Sequence, residues 1–157
     1  MLKAAGVGQG NEHSLRDEIR SDHILWLDDG NAAPLQKHYL DLLEAYRQQV
    51  NQQLYLGLFE FEGHLALYPP GSFYKRHLDR FRDDDRRTVT AILYLNDDWK
   101  ESDGGQLRFY PNGESVDEYI DVLPEAGTLV TFLSHDYWHE VLPGKRERMS
   151  VTGWFRR

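Results

Sequence analysis

The chain has no cysteine, which removes disulfide cross-links and thiolate metal sites from consideration. A reducing compartment is the simplest home for such a sequence, and a cytoplasmic location is the expectation. No apolar run approaches the roughly 18 residues that would span a bilayer, and the first residues lack the hydrophobic centre of a signal peptide. Positive charge is the scarcer sign, with 18 Lys and Arg against 26 Asp and Glu and a net charge of −8. That balance works against the phosphate attraction that opens nucleic-acid binding, so neither nucleic acid nor membrane is an expected partner. A small anion in a local basic pocket stays compatible with it.

What is present fits one domain. At 157 residues, with 40% hydrophobic and 28% charged residues, the chain can bury a core and is not a disordered scaffold. Residues 1–18 read as a flexible lead-in. Their Gly6-Val7-Gly8-Gln9-Gly10 follows no strand and opens no apolar helix, which argues against a phosphate loop. Ile19 to Leu27 reads as a short extended segment closed by the turn Asp28-Asp29-Gly30-Asn31. From Pro34, apolar residues at 35, 39, 42, 43, 46 and 50 mark one face of a helix, with the proline suited to its first turn. The period then changes to two. Expected strands cover Gly57–Tyr68, Tyr74–Arg80, Thr88–Asn96, Gly105–Tyr110, Glu118–Val122, Thr128–Leu133, His139–Leu142 and Met149–Phe155. Many short strands with one covering helix indicate a mainly β fold, best a jelly roll.

The most informative tripeptide is His77-Leu78-Asp79. In an extended strand, residues i and i+2 share a face, so an imidazole and a carboxylate project together. Alone the pattern also describes an ordinary polar strand face. The segment Ser134 to Val141 offers a third ligand, either His139, which opens an extended run, or His135, which sits among turn formers. His139 is the better choice. Two imidazoles and one carboxylate suit non-haem ferrous iron with open positions, while zinc with a bound water is the competing metal. Arg148 favours iron. Arg148, Ser150, Thr152 and Trp154 share one strand face, and an inward guanidinium needs a carboxylate, supplied by a dicarboxylate co-substrate or by an internal salt bridge.

The chain resembles the 2-oxoglutarate- and iron-dependent prolyl hydroxylases, in the branch of the oxygen-sensing animal enzymes and their bacterial relatives. The likeness runs from about Ile19 to Trp154. It is carried by Leu67-Tyr68-Pro69-Pro70-Gly71, Tyr74 to Asp79, Tyr94-Leu95-Asn96-Asp97-Asp98-Trp99, Gly104 to Arg108, and His139-Glu140-Val141 with Arg148 nine residues beyond His139. The resemblance implies a double-stranded β-helix in which His77, Asp79 and His139 bind Fe(II). It also implies that Arg148 and the Tyr94 phenol hold the distal carboxylate of 2-oxoglutarate, with Tyr68 and Thr152 lining the same pocket. Arg87 takes the position of a substrate contact in relatives, and Ile19 to Ala33 looks like a mobile finger over the substrate. Two features depart from the family. Relatives carry a helix before the equivalent of Ala5-Gly6-Val7-Gly8, so a missing N-terminal segment is expected here, and Trp138 stands where proline is common.

The implied activity is hydroxylation of a prolyl residue in a protein loop, with O2 consumed and succinate and CO2 released. Elongation factor Tu is the candidate substrate by analogy, ascorbate a candidate stimulant, and a monomer the default state. The rival readings are the same chemistry on another side chain or a small molecule, a non-catalytic metal-binding sensor or interaction barrel, and a zinc hydrolase.

Overall fold

The helix that the periodicity predicts is α1 (Pro34–Leu54), in a computed structural model that describes residues 2–6, 19–27, 30, 33–79, 86–113 and 115–157. Pro34 opens it, where a missing N–H costs nothing, and the Gln36 side chain accepts the Ala33 backbone N–H at 2.8 Å. The helix ends where Tyr55 takes a left-handed conformation at φ 54°. Asn51 pins that end to the chain beyond, exchanging hydrogen bonds with the Leu58 backbone at 2.7 and 2.8 Å.

Among the described residues ten strands accompany the helix: β1 (Lys3–Ala4), β2 (His23–Trp26), β3 (Glu60–Tyr68), β4 (Tyr74–His77), β5 (Arg87–Tyr94), β6 (Leu107–Tyr110), β7 (Ile120–Val122), β8 (Leu129–Leu133), β9 (Trp138–Val141) and β10 (Arg148–Arg156). They form a six-stranded sheet in the order β1-β2-β3-β10-β5-β8 and a four-stranded sheet in the order β4-β9-β6-β7. All strand pairs are antiparallel. The mainly β jelly roll is therefore the observed fold.

Strand β10 is the centre of the large sheet, and its alternation sorts the molecule into two cores. Its Arg148, Ser150, Thr152 and Trp154 face the small sheet beside their ladder partners Tyr68, Ala66, His64, Tyr94, Ile92 and Thr90. There Ala66, Tyr68, Ile92 and Tyr94 pack on Leu107, Phe109 and Val141 of the small sheet. On the other face, Val89, Ala91 and Phe155 pack under α1 through Leu43, Tyr39, Tyr46 and Val50. Phe155 is fully buried, which stabilises the fold by about 2–3 kcal/mol.

Several boundaries differ from the sequence reading for identifiable reasons. The lead-in is structured at its start, because Lys3–Ala4 pairs with β2 and the Ala5 N–H donates to the Asp22 carbonyl at 2.9 Å. Residues 7–18 lie outside the described part. Strand β3 starts at Glu60 and β6 at Leu107 because Gly57 and Gly105 take positive φ and break the extended run. The first part of the expected finger is sheet, with His23–Trp26 in register with β3. Residues 28–29 and 31–32 of that segment are outside the described part.

Candidate metal centre

Strand β4 ends where the site begins. His77, its last residue, is the register partner of His139 on β9, so two imidazoles meet across a ladder from segments distant in sequence. Asp79 follows in a bend, and the expected extension of the strand past His77 does not occur; its predicted end, Arg80, is outside the described residues. The carboxylate nevertheless joins the pair. His77 Nε2 lies 3.4 Å from Asp79 Oδ1 and His139 Nε2 lies 3.5 Å from Asp79 Oδ2. One ligand atom from each of the three residues falls within 4.8 Å of the others.

The imidazoles are aimed by their own backbone. His77 Nδ1 is 2.7 Å from the Lys75 carbonyl and His139 Nδ1 is 2.9 Å from the Tyr137 carbonyl, the same two-residue reach in both cases. Each carbonyl fixes the proton on Nδ1 and leaves the Nε2 lone pair for the centre of the cluster. Tyr74 stacks on His77 with centroids 3.6 Å apart and planes at 17°, and Phe132 meets His139 edge-on at 4.9 Å. Behind Tyr74 stands the Arg20 guanidinium, 4.4 Å from the ring centroid and held by two bonds to the buried Asp22 at 2.6 and 2.7 Å.

The charges of this largely buried site act on one another. Burial, followed by the charge of His139, pushes the His77 pKa below that of an ordinary imidazole. Burial works against ionised Asp79, yet His139 and His77 outweigh it and hold the carboxyl well below its usual range. Burial also opposes the charged form of His139, whose pKa is raised all the same by the Asp79 carboxylate. An ionised carboxylate between two inward imidazole nitrogens is a donor set that a divalent cation fits.

Arg148, at the start of β10, is 3% exposed and lies between two aromatic rings, 4.9 Å from the Tyr68 centroid and 5.0 Å from that of Tyr94. No carboxylate pairs with it among the described residues, so the internal salt bridge weighed from the sequence is not what occupies it. Among the described residues, its Nε and the hydroxyl of the fully buried Tyr94 have no hydrogen-bond partner. Burial raises the Tyr94 pKa, partly offset by the Arg148 charge, so the phenol remains a donor. Buried, unspent donors of this kind fit a carboxylate. Gly105 makes room for them, since a Cβ there would sit 3.1 Å from the Trp99 ring and 3.4 Å from Arg148 Cδ.

The remaining expected residues are less direct. Thr152 shares the inner face with Arg148, its hydroxyl 3.2 Å from that of Ser150. Arg87 opens β5, pairs with Glu62 at 2.7 Å and stacks 3.5 Å above the Trp154 ring. His135 lies in the β8–β9 corner outside the three-residue cluster. Trp138 begins β9 and packs 5.1 Å from the Arg76 guanidinium. Missed by sequence reasoning were Tyr74 and Arg20 behind His77, and the Thr90 hydroxyl, which donates to Asp79 Oδ2 at 2.8 Å. Threonine in an apolar strand was the available signal.

A family model described as the 2OG-Fe(II) oxygenase superfamily matches residues 63–156, more than half of the chain. The hypoxia-inducible factor prolyl hydroxylase of Caenorhabditis elegans is 35% identical over 153 residues, covering 92% of this chain and 21% of that protein. Egl nine homolog 1 of Homo sapiens is 36% identical over 107 residues, covering 64% of this chain and 24% of its own length. The chain thus spans between a fifth and a quarter of these curated relatives. A crystal structure of a Pseudomonas putida prolyl-4-hydroxylase superposes with a TM-score of 0.83 at 56% identity, covering 90% of this chain and 75% of that one. A Trichoplax adhaerens prolyl hydroxylase, in complex with a peptide fragment of the hypoxia inducible factor oxygen degradation domain, gives 0.82 at 28% identity over 98% of this chain and 70% of that one.

Proposed function

The chain belongs to the 2OG-Fe(II) oxygenase superfamily, and from that premise we propose that it is a prolyl 4-hydroxylase acting on a prolyl residue in a loop of a protein. The observation that carries this reading is the buried Arg148, uncompensated beside the unspent Tyr94 phenol and inside the same barrel as His77, Asp79 and His139. Sequence relatives and superposable structures described as prolyl hydroxylases support the prolyl substrate.

In this reading His77, Asp79 and His139 hold Fe(II), while Arg148 and Tyr94 hold the distal carboxylate of 2-oxoglutarate. Iron and 2-oxoglutarate together supply the oxidising chemistry, in which O2 and the keto acid give succinate, CO2 and one oxygen atom for a C–H bond. The chain's own residues orient and shield. Arg148 and Tyr94 give the co-substrate a single direction, because a planar fork and a hydroxyl cannot be satisfied by a carboxylate turned away. Tyr68, whose ring lies 4.9 Å from the Arg148 guanidinium, and Thr152, on the same strand face as Arg148, would line that pocket. Tyr74, Phe109 and Phe132 keep bulk water from the imidazoles. Arg87, paired with Glu62 and stacked on Trp154, is the candidate contact for the polypeptide.

Anaerobic titration with 2-oxoglutarate tests the co-substrate assignment. Fe(II)-loaded protein should develop a visible charge-transfer band that Arg148→Gln weakens strongly. On admitting O2, succinate should rise with proline-containing peptides more than with free proline or small metabolites. Elongation factor Tu, the candidate that the family resemblance raises, is the first protein to supply. Turnover with a small metabolite alone would move the substrate class, and hydrolysis without O2 would replace the whole reading.

A further inference from the structure

Of the three cation-facing residues, Asp79 alone stands outside a strand, in the bend after β4. The ladder that fixes the two imidazoles does not fix its carboxylate, which has two side-chain torsions and two chemically equivalent oxygens. Behind it stand two hydroxyls. Thr90 Oγ1 donates to Asp79 Oδ2 at 2.8 Å, and Ser134 Oγ lies 2.8 Å from Thr90 Oγ1. Both residues are 0% exposed.

The direction of this chain follows from counting protons. A carboxylate offers only lone pairs, so the single Thr90 proton is spent on Asp79. Ser134 must then donate to Thr90. Three separate segments meet here: the bend carrying Asp79, the middle of β5, and the β8–β9 corner whose Ser134 N–H bonds the Thr88 carbonyl at 3.0 Å. The same corner leads directly to His139. Thr90 is in register with Trp154 and Phe132 on the inner face, and its strand neighbours Val89, Ala91 and Ile92 are apolar. Packing alone would be met by valine, whereas a dry hydroxyl is costly unless it is bonded.

We propose that Thr90 and Ser134 are positioning residues that commit Asp79 Oδ2 to the protein and leave Oδ1, beside His77 Nε2, presented for a divalent cation. The proposal rests on the metal-binding reading above and adds the relay that sets how the carboxylate is offered. A carboxylate so anchored contributes one oxygen and cannot swing to offer both.

The metal alone is the probe. Mn(II) is titrated into the full chain without 2-oxoglutarate, and the free ion is counted by electron paramagnetic resonance. Thr90→Val keeps the shape without the hydroxyl and should raise the Mn(II) dissociation constant about 10- to 100-fold, the usual cost of losing an outer partner of a ligand. Thr90→Ser restores the hydroxyl and should stay within about threefold of the parent. Ser134→Ala, which removes the second link, should cost about 3- to 10-fold. Melting of the metal-free proteins reports packing separately. Equal affinity of Thr90→Val and parent overturns the proposal. So does a Thr90→Ser protein as weak as Thr90→Val, which would assign the position to packing. If Thr90→Val fails to fold, Ser134→Ala decides, and unchanged affinity there overturns the relay. A parent chain that does not bind Mn(II) removes the metal centre and the relay together, a failure visible before any variant is compared.

Discussion

Replacing Arg148 by lysine keeps the charge but loses the planar fork, and in a dry pocket that loss is not made good by water. Arg148→Lys should weaken 2-oxoglutarate about 10- to 100-fold, as hydrogen bonds to a charged group are lost, and Tyr94→Phe about 3- to 10-fold. Anaerobic titration of the charge-transfer band measures both, and unchanged affinity in Arg148→Lys would place the carboxylate elsewhere. His64 makes a second residue-level prediction. Burial, then the charge of Arg20, pushes its pKa from 6.5 down to about 4. Between those values the unfolded chain takes up a proton that the folded chain refuses, so stability is intact above about pH 6.5 and falls as pH drops through the window. The loss approaches about 3 kcal/mol at its limit. Urea unfolding from pH 7.5 to 4.5 should show this slope, and His64→Leu should flatten it; parallel profiles would contradict the assignment. The two-residue spacing singled out His77 and Asp79 as a pair on one strand face, and they do stand together with His139, although Asp79 reaches the cluster from a bend past the strand's end. Thr90, Ser134 and His64 were not singled out, since a hydroxyl or imidazole in a strand looks the same whether it faces solvent, packing or a ligand.

At the scale of elements, a tight constraint lies where β3 and β10 pair under α1. A Cβ at Gly153 would come within 2.5 Å of the Glu62 carbonyl oxygen and closer still to the Phe61 ring, which itself packs on Phe155 at 5.0 Å. Gly153→Ala should therefore destabilise the fold by about 1–3 kcal/mol through overpacking. Trimming the ring in Gly153→Ala/Phe61→Leu should recover part of what the two single changes lose separately, a coupling that thermal melts of the four proteins would resolve. Additive losses would mean that the backbone, and not the ring, limits the site. Helix α1 was readable because its apolar spacing persists over many turns and Pro34 marks its start. Strand ends were less so. Gly57 and Gly105 continue the alternating pattern in sequence while their positive φ ends the extended run, and β1 is too short to have a period.

For the whole molecule, strand number and turn spacing pointed to two packed sheets, and the observed pair of antiparallel sheets agrees. Which strands would be neighbours was not in the spacing. The pairing of β4 with β9, which brings His77 against His139, joins segments separated by the whole of β5 to β8; the need for a third ligand pointed to His139, but not to the ladder that carries it there. The proposed activity belongs to this scale, because the residues proposed as metal ligands, co-substrate pocket and substrate contact come from different segments of one fold. Loss of Asp79 should remove the function while leaving both cores in place, so Asp79→Ala is the control for every activity measurement. The most direct test incubates loop-containing proteins, elongation factor Tu first, with the chain, Fe(II), 2-oxoglutarate and O2, and maps their peptides by mass spectrometry. A gain of one oxygen on a prolyl residue, matched by succinate and absent with Asp79→Ala, is the predicted result. Succinate formed while the oxygen lands on another residue, or prolyl oxidation undiminished by Asp79→Ala, would contradict it.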